Sequence, residues 1–192
     1  MILEGSETRK NLLISFAGES QARNRYTYFA GAARKEGYPT IANIFEETAN
    51  HEKEHAERFF KFLDSGGKLE ITAPFPAGKI ASTLENLVAS AEGEHEEWAE
   101  MYPAFARKAR EEGFEAVAKV FENIAVAETY HEKRFKKLIE ELEKDGLFKK
   151  SGLIVWKCSN CGYHLQSAEA PLVCPACAHR KEYFIEVSDI LF

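Results

Sequence analysis

Glu128-Thr129-Tyr130-His131 is a Glu-x-x-His step inside a long run with helical spacing, and Glu52-Lys53-Glu54-His55 is the same step 76 residues earlier. Residues three apart on a helix project from one face, so a carboxylate and an imidazole in this register can grip one ion. One such step is common by chance and is usually solvated. Two in register predict a metal site between helices if the rest of the chain completes it.

Four segments carry apolar residues at intervals of three and four, the spacing of a helical stripe. The first runs from about Ser6, an N-cap residue, to Gly37 and aligns Leu12, Phe16, Glu19, Arg23, Tyr26, Ala30 and Ala33. The second starts at Pro39, fades near Ser65-Gly66-Gly67, and aligns Ile41, Phe45, Thr48, Glu52, His55, Phe59 and Phe62. Lys68 to Gly78, with Pro74 and Pro76, reads as a long crossover. The third segment, about Ile80 to Gly113, aligns Ile80, Leu84, Leu87, Ala91, Glu94, Trp98, Met101 and Phe105, and Pro103 is expected to kink it. The fourth, about Phe114 to Asp145-Gly146, aligns Val117, Phe121, Ile124, Glu128, His131, Phe135, Leu138 and Leu142.

The two halves repeat. Glu36/Glu112, Phe45/Phe121, Glu52/Glu128 and His55/His131 are offset by 76, whereas Glu19/Glu94 are offset by 75. The third helix therefore holds one extra residue between Glu94 and Glu112. Such an insertion is commonly absorbed as a π-bulge, and Glu97 lies in that interval, opposite Ala22 or Arg23 of the first helix. Two hairpins and a crossover describe a mainly α, ferritin-like four-helix bundle. A coiled coil is the runner-up, but its seam would not place glutamates centrally in all four helices.

Bundles of this class bind metal through one Glu from each of two helices and a Glu-x-x-His from each of the other two. Glu19 and Glu94 meet the first requirement; Glu52/His55 and Glu128/His131 meet the second. Without cations these groups would repel one another in a core that rarely holds unpaired charge. Mixed Glu/His ligation suits iron or manganese, and six ligands imply two ions. Four carboxylates neutralise two divalent ions, so a fifth, Glu97, would favour a trivalent pair. Tyr26, two turns from Glu19, and Tyr102, about two turns from Glu94, are candidates to hydrogen-bond a ligating carboxylate. His51 and His95 adjoin ligand positions but point about 100° away, and they read as surface together with Glu96 and Glu100.

After Gly146 the texture changes. Lys149-Lys150-Ser151-Gly152 resembles a hinge between a bundle domain, 1–149, and a small β-rich domain, 153–192, whose strand-prone pieces are Leu153–Trp156 and Tyr183–Val187. A unit this short needs a staple. Cys158-x-x-Cys161 and Cys174-Pro175-x-Cys177 supply two knuckles for one tetrahedral zinc or iron. Spacing does not choose between the metals, although a redox-active neighbour favours iron. His164 and His179 read as surface. All four cysteines lie in this module, which fits a reducing, cytoplasmic setting better than a disulfide framework. The N-terminus lacks the pattern of a signal peptide, and no apolar run approaches a membrane span. A net charge of −6 argues against nucleic acid or an anionic membrane as partner.

These motifs together, from Phe16-Ala17-Gly18-Glu19-Ser20-Gln21-Ala22-Arg23 through Cys174-Pro175-Ala176-Cys177, resemble the rubrerythrin family over essentially the whole chain. The resemblance implies a non-haem diiron site joined to a rubredoxin-like Fe(Cys)4 centre, with zinc possible in either as isolated. It implies a peroxidase that reduces hydrogen peroxide to water in oxidative-stress defence. Electrons would pass through the cysteine centre from an external donor such as a rubredoxin and its NAD(P)H reductase; the chain has no dinucleotide fingerprint of its own. Glu52 and Glu128 would bridge the irons, Glu19 and Glu94 would be terminal, and His131 would hold one iron. The other iron would move between Glu97 when oxidised and His55 when reduced. A homodimer or higher homo-oligomer is expected, with the cysteine centre of one subunit approaching the diiron site of another. Ala178 stands where free-standing rubredoxins usually have Gly. The alternatives are a ferroxidase or iron-handling ferritin-like protein, which needs no electron wire, and a scaffold with structural zinc.

Overall fold

The structure, a computed structural model, describes residues 3–63 and 66–187. Helices α1 (Glu7–Lys35) and α2 (Pro39–Phe60) form one hairpin. Helix α3 (Thr83–Glu96), a π-turn (Glu97–Met101) and α4 (Tyr102–Glu111) form a continuous rod that pairs with α5 (Glu115–Glu143). The irregular segment between α2 and α3 is the crossover of the expected ferritin-like bundle. The extra residue of the second half is taken up by the π-turn, where the N–H of Tyr102 reaches back to the carbonyl of Glu97. Pro103, expected to kink the rod, sits in the first turn of α4 directly after this irregularity, where a missing N–H is tolerated.

The repeat extends to the helix ends. Gly37 and Gly113 take positive φ, 90° and 85°, and each lets the chain reverse into the next helix. The residue before each glycine caps a helix of the other half. Glu36 accepts the N–H of Thr83 at 3.0 Å, and Glu112 accepts those of Glu7 and Thr8 at 3.0 and 2.8 Å. Partial burial opposes ionisation of Glu112, but the Thr8 hydroxyl and the two amides outweigh it and hold its carboxyl below the usual range. Arg34 pairs with Glu46, and Arg110 pairs with Glu122, each at 2.5 Å and again 76 residues apart.

Three details differ from the sequence expectation. Helix α3 starts at Thr83, because Ser82 and Glu85 form a reciprocal capping box; Ile80 precedes the helix and is exposed. Helix α2 ends at Phe60, and Ser65 lies outside the described residues. Arg23 is exposed while Ala22 occupies the buried stripe, since a charged group has no partner there.

The core consists of two clusters, each built on an aromatic triad. Tyr26, Phe45 and Phe135 have ring centroids 5.4 to 6.0 Å apart. Their repeat equivalents Tyr102, Phe121 and Phe59 lie 5.1 to 5.9 Å apart. Burying each ring contributes roughly 2–3 kcal/mol, and the triads supply the tyrosines that reach the site described below.

The small module is a three-stranded antiparallel sheet in the order β2-β1-β3, from β1 (Lys149–Cys158), β2 (His164–Glu169) and β3 (Phe184–Glu186). Trp156, Cys158, Ala170, Cys174 and Phe184 form its core, and Trp156 donates to the carbonyl of Ser167 at 3.1 Å. Lys149–Gly152, expected as a hinge, is the opening of β1. Lys150 is drawn into the structure by Glu141 of α5 and by Glu186 of β3. Thr40 at the start of α2 donates to the carbonyl of Glu182 at 3.3 Å, so the module rests against the end of the bundle.

Glu112→Ala removes the acceptor for two α1 amides and is expected to lower stability by about 1 kcal/mol. Glu36→Ala should do the same at α3. Both effects would appear as lower urea midpoints at unchanged slope, and unchanged midpoints would mean that these caps contribute nothing.

Candidate metal centres

Each of the four rods sends a glutamate to the middle of the bundle. Glu19, Glu52, Glu94 and Glu128 are 0–1% exposed, and His131 is 6% exposed. Their donor atoms, with those of His55, converge in two groups: Glu19, Glu52, His55 and Glu128, and Glu52, Glu94, Glu128 and His131. Glu52 and Glu128 belong to both. His55 Nδ1 lies 2.9 Å from Glu128 and 3.0 Å from Glu52, with Glu19 at 3.9 Å. His131 Nδ1 repeats the pattern, at 2.6 Å from Glu128, 3.3 Å from Glu52 and 3.6 Å from Glu94.

Despite these separations, Glu19 Oε2, Glu94 Oε2, both oxygens of Glu52 and of Glu128, and both Nδ1 atoms make no hydrogen bond of acceptable direction. They face shared points rather than one another. Buried polar atoms without partners are rare and demand an explanation. Two cations, one in each group, would satisfy every one of them. The donor set of carboxylates and imidazoles is that of iron or manganese.

The tyrosines cross between the halves. Tyr26 donates to Glu94 Oε1 and Tyr102 to Glu19 Oε1, which leaves Oε2 of each carboxylate free for a metal. Burial, reinforced by the neighbouring carboxylates, pushes both phenols well above their ordinary range and keeps them as donors.

Charge in this site is held in balance by protons. Burial followed by the neighbouring glutamates pushes Glu19 well up and Glu94 up to about 8. Burial alone would lower His55 and His131, yet Glu128 and Glu52 outweigh it and raise them to about 9 and about 12. Burial also acts to raise Glu128, but the two imidazoles beside it bring it down to about 2.

Glu97 is in neither group of converging donors. Part of the residue reaches the surface, but its carboxylate is enclosed. Burial, then Glu94, Glu128 and Glu52, raise it well above its ordinary value, with Arg25 opposing. The arrangement is the one in which His55 faces the site and Glu97 stands beside it.

Two residues read as surface have partners. His51 Nδ1 lies 3.1 Å from His131 Nε2, and the two rings stack at 5.3 Å. His95 Nδ1 lies 3.0 Å from Glu132, a buried carboxylate that the stripes did not single out. Both histidines are exposed, as expected, and a position one step off the inward stripe can also reach the adjacent helix, which helical period alone does not reveal. Glu96 and Glu100 are exposed, as expected.

In the small module, the Sγ atoms of Cys158 and Cys177, and of Cys161 and Cys174, are 3.7 Å apart, and all four thiols are free. A tetrahedron of sulfurs about 2.3 Å from a central metal has edges of about 3.8 Å. The knuckles are related by a local two-fold: Gly162 and Ala178 both take positive φ, 77° and 58°, and donate to the carbonyls of Cys158 and Cys174 at 2.9 Å. Glycine suits this conformation, and Ala178 adopts it against its preference. The backbone N–H of His179 draws the Cys177 thiol down to about 6, toward the thiolate that metal binding needs. His179 is part-buried against Tyr183, whereas His164 is exposed.

Residues 10–139 match the family described as Rubrerythrin, and residues 156–185 match its rubredoxin-like domain. The chain belongs to the rubrerythrin family. It is 57% identical over 182 residues to the rubrerythrin of Porphyromonas gingivalis, covering 95% of this chain and 90% of that one. It is equally identical to that of Nitratidesulfovibrio vulgaris, covering 95% of each. A solved structure of fully reduced, all-ferrous nigerythrin is similar at a TM-score of 0.64 and 32% identity, covering 97% of this chain and 92% of that one. As a rubrerythrin the chain is of an oxidoreductase family that joins a ferritin-like diiron domain to a rubredoxin-like one, and both clusters suit iron.

The metal-free protein should show the proton balance directly. Glu94 and His55 have folded values above their unfolded ones, so the stability they contribute is full below about pH 4.5 and 6.5 and is lost as pH rises through about 8 and 9. Glu128 is depressed, and its contribution is lost below about pH 4.5 toward 2. Thermal melts of metal-free protein are therefore expected to peak near pH 4.5–5 and decline toward pH 9, while metal-loaded protein resists the alkaline decline. A metal-free midpoint that rises from pH 5 to 9 would contradict the balance.

Proposed function

We propose that this chain is a non-haem diiron peroxidase that reduces hydrogen peroxide to water in oxidative-stress defence, with electrons delivered through its cysteine centre. The observation that carries the reading is the covalent attachment of a four-thiolate metal site to a paired-carboxylate site. Iron storage or oxidation has no use for such a wire. The bundle would hold two irons and the module one. When bound, the iron pair supplies the two electrons that, with two protons, convert hydrogen peroxide to two water molecules.

The chain's own residues divide the work. Glu52 and Glu128, shared by both groups of donors, would serve both ions. Glu19 and His55 would complete one position, Glu94 and His131 the other. Tyr26 and Tyr102 fix the terminal carboxylates in the orientation that leaves one oxygen free. Glu97, held beside the site, would supply a fifth carboxylate in place of His55 for a pair of higher charge. Cys161 is the exposed member of its site, which suits entry of electrons. The external donor is a small redox protein of the rubredoxin type with its NAD(P)H reductase. The working unit is a homodimer or larger assembly in the cytoplasm, with cysteine and bundle sites of different subunits in exchange. No described helix is long and apolar enough to cross a membrane.

Stopped-flow mixing of the reduced protein with hydrogen peroxide, followed at both chromophores, is expected to show faster oxidation by peroxide than by dioxygen. Equal or slower reaction with peroxide would move the assignment to a ferroxidase. Cys161→Ser is expected to allow one turnover of chemically reduced protein and to abolish sustained turnover. Normal multiple turnover in that variant would remove the cysteine centre from the path.

A further inference from the structure

The π-turn breaks the two-fold repeat, and a second departure from symmetry lies beside it. Glu132 on α5 is 4% exposed and belongs to neither group of converging donors. Its Oε2 accepts from Trp98 Nε1 at 2.7 Å, and its Oε1 lies 3.0 Å from His95 Nδ1 and 2.5 Å from Lys136 Nζ. Trp98 is the second residue of the π-turn and follows Glu97 directly; His95 lies in the last turn of α3. The 76-residue repeat maps Trp98 onto Ala22 and Glu132 onto Ala56, both buried. The first hairpin, which has no π-turn, therefore has two methyl groups where the second has an indole and a carboxylate. The polar pair occurs only where the extra residue does.

A π-turn is less favourable than α-helix, and it persists where side chains hold it. Sliding its register by one residue would swing Glu97 by about 100° around the rod. A hydrogen bond from Trp98 to a carboxylate on the neighbouring helix opposes that slide, because the slide would take away from Oε2 of Glu132 its indole donor, while the exposed Lys136 and His95 contact Oε1. We propose that Trp98 and Glu132 are positioning residues, a latch between α5 and the π-turn that holds Glu97 beside the bundle site. Neither side chain is among the converging metal donors. This rests on the reading of Glu97 as a ligand of the oxidised pair, so the test includes a measurement that does not depend on it.

Amide hydrogen exchange on the full-length, iron-loaded protein reads the latch. Trp98→Phe keeps a ring and removes the N–H, Glu132→Ala removes the acceptor, and Glu132→Gln keeps one. Trp98→Phe and Glu132→Ala are expected to speed exchange across residues 97–102 at least about tenfold, with residues 83–94 unchanged. Glu132→Gln should stay within about threefold of the unaltered protein. If Glu132→Ala does not fold, the contrast between Trp98→Phe and Glu132→Gln carries the test. Unchanged exchange in Trp98→Phe, or equal acceleration in Glu132→Gln, overturns the latch. The oxidised spectrum then reads positioning. Trp98→Phe is expected to shift it in the same direction as Glu97→Ala. A shift in Glu97→Ala but none in Trp98→Phe overturns the positioning role. No shift in Glu97→Ala instead sinks the ligand reading of Glu97, while the exchange result stands by itself.

Discussion

Four carboxylates and two imidazoles are packed into the middle of one helical bundle, and nothing else in the molecule is as demanding physically. Charges that would interact weakly in water interact strongly where solvent is excluded. Glu19, Glu52, Glu94 and Glu128 are almost fully buried, and their free oxygens converge without bonding one another. Such a site is stable only when positive charge enters it, as protons on His55, His131 and the raised carboxyls or as metal ions. The aromatic triads on either side make the site dry, and the same triads deliver the tyrosines that orient Glu19 and Glu94. The hydrophobic core and the metal site are therefore parts of one arrangement.

Duplication explains how so many ligands arrive in register. One hairpin supplies a carboxylate, a Glu-x-x-His step and a tyrosine. Two hairpins related by a two-fold supply the complete set, with each tyrosine serving the other half's carboxylate. The same crossing governs the helix ends, where Glu36 caps α3 and Glu112 caps α1. Exchanging caps and hydrogen bonds between halves ties the hairpins together across the crossover and makes the relative height of the helices, on which the ligand geometry depends, hard to change.

The ligand stripes, the crossover and the inserted residue were legible in the sequence because each leaves a periodic signal: a stripe, a gap, or a change of offset from 75 to 76. The start of α3 was also written there, as Ser82-Thr83-Leu84-Glu85, but Ile80 continued the apolar period and obscured it. What the period could not convey is direction within a helix pair. Tyr26 and Tyr102 stood out as partners of the carboxylates, yet their crossing to the opposite half depends on packing between helices. His51 and Glu132 lie off the inward stripe and still meet a neighbouring helix. Lys149–Gly152 has the composition of a linker, and only the pairing of Lys149 with Glu169 of β2 reveals a strand.

A strictly symmetric site would bind two ions alike. The departure here lies in the second half: Trp98 and Glu132 stand where the first has Ala22 and Ala56, and Glu97 opens the π-turn that the first hairpin lacks. Glu97 adds a fifth carboxylate beside the site: after burial it is the first neighbour to raise Glu19, and after burial Glu94 is the first to raise Glu97 in turn. On the side of Glu94, His131 is backed by His51. On the reading proposed above, an ion beside Glu19 and His55 would have two alternative ligands, the imidazole of His55 and the carboxylate of Glu97. A change of one unit in metal charge is enough to alter which of them is favoured. Duplication thus built the clamp, and on the proposed reading the single inserted residue is what would let one of its two positions respond to oxidation state.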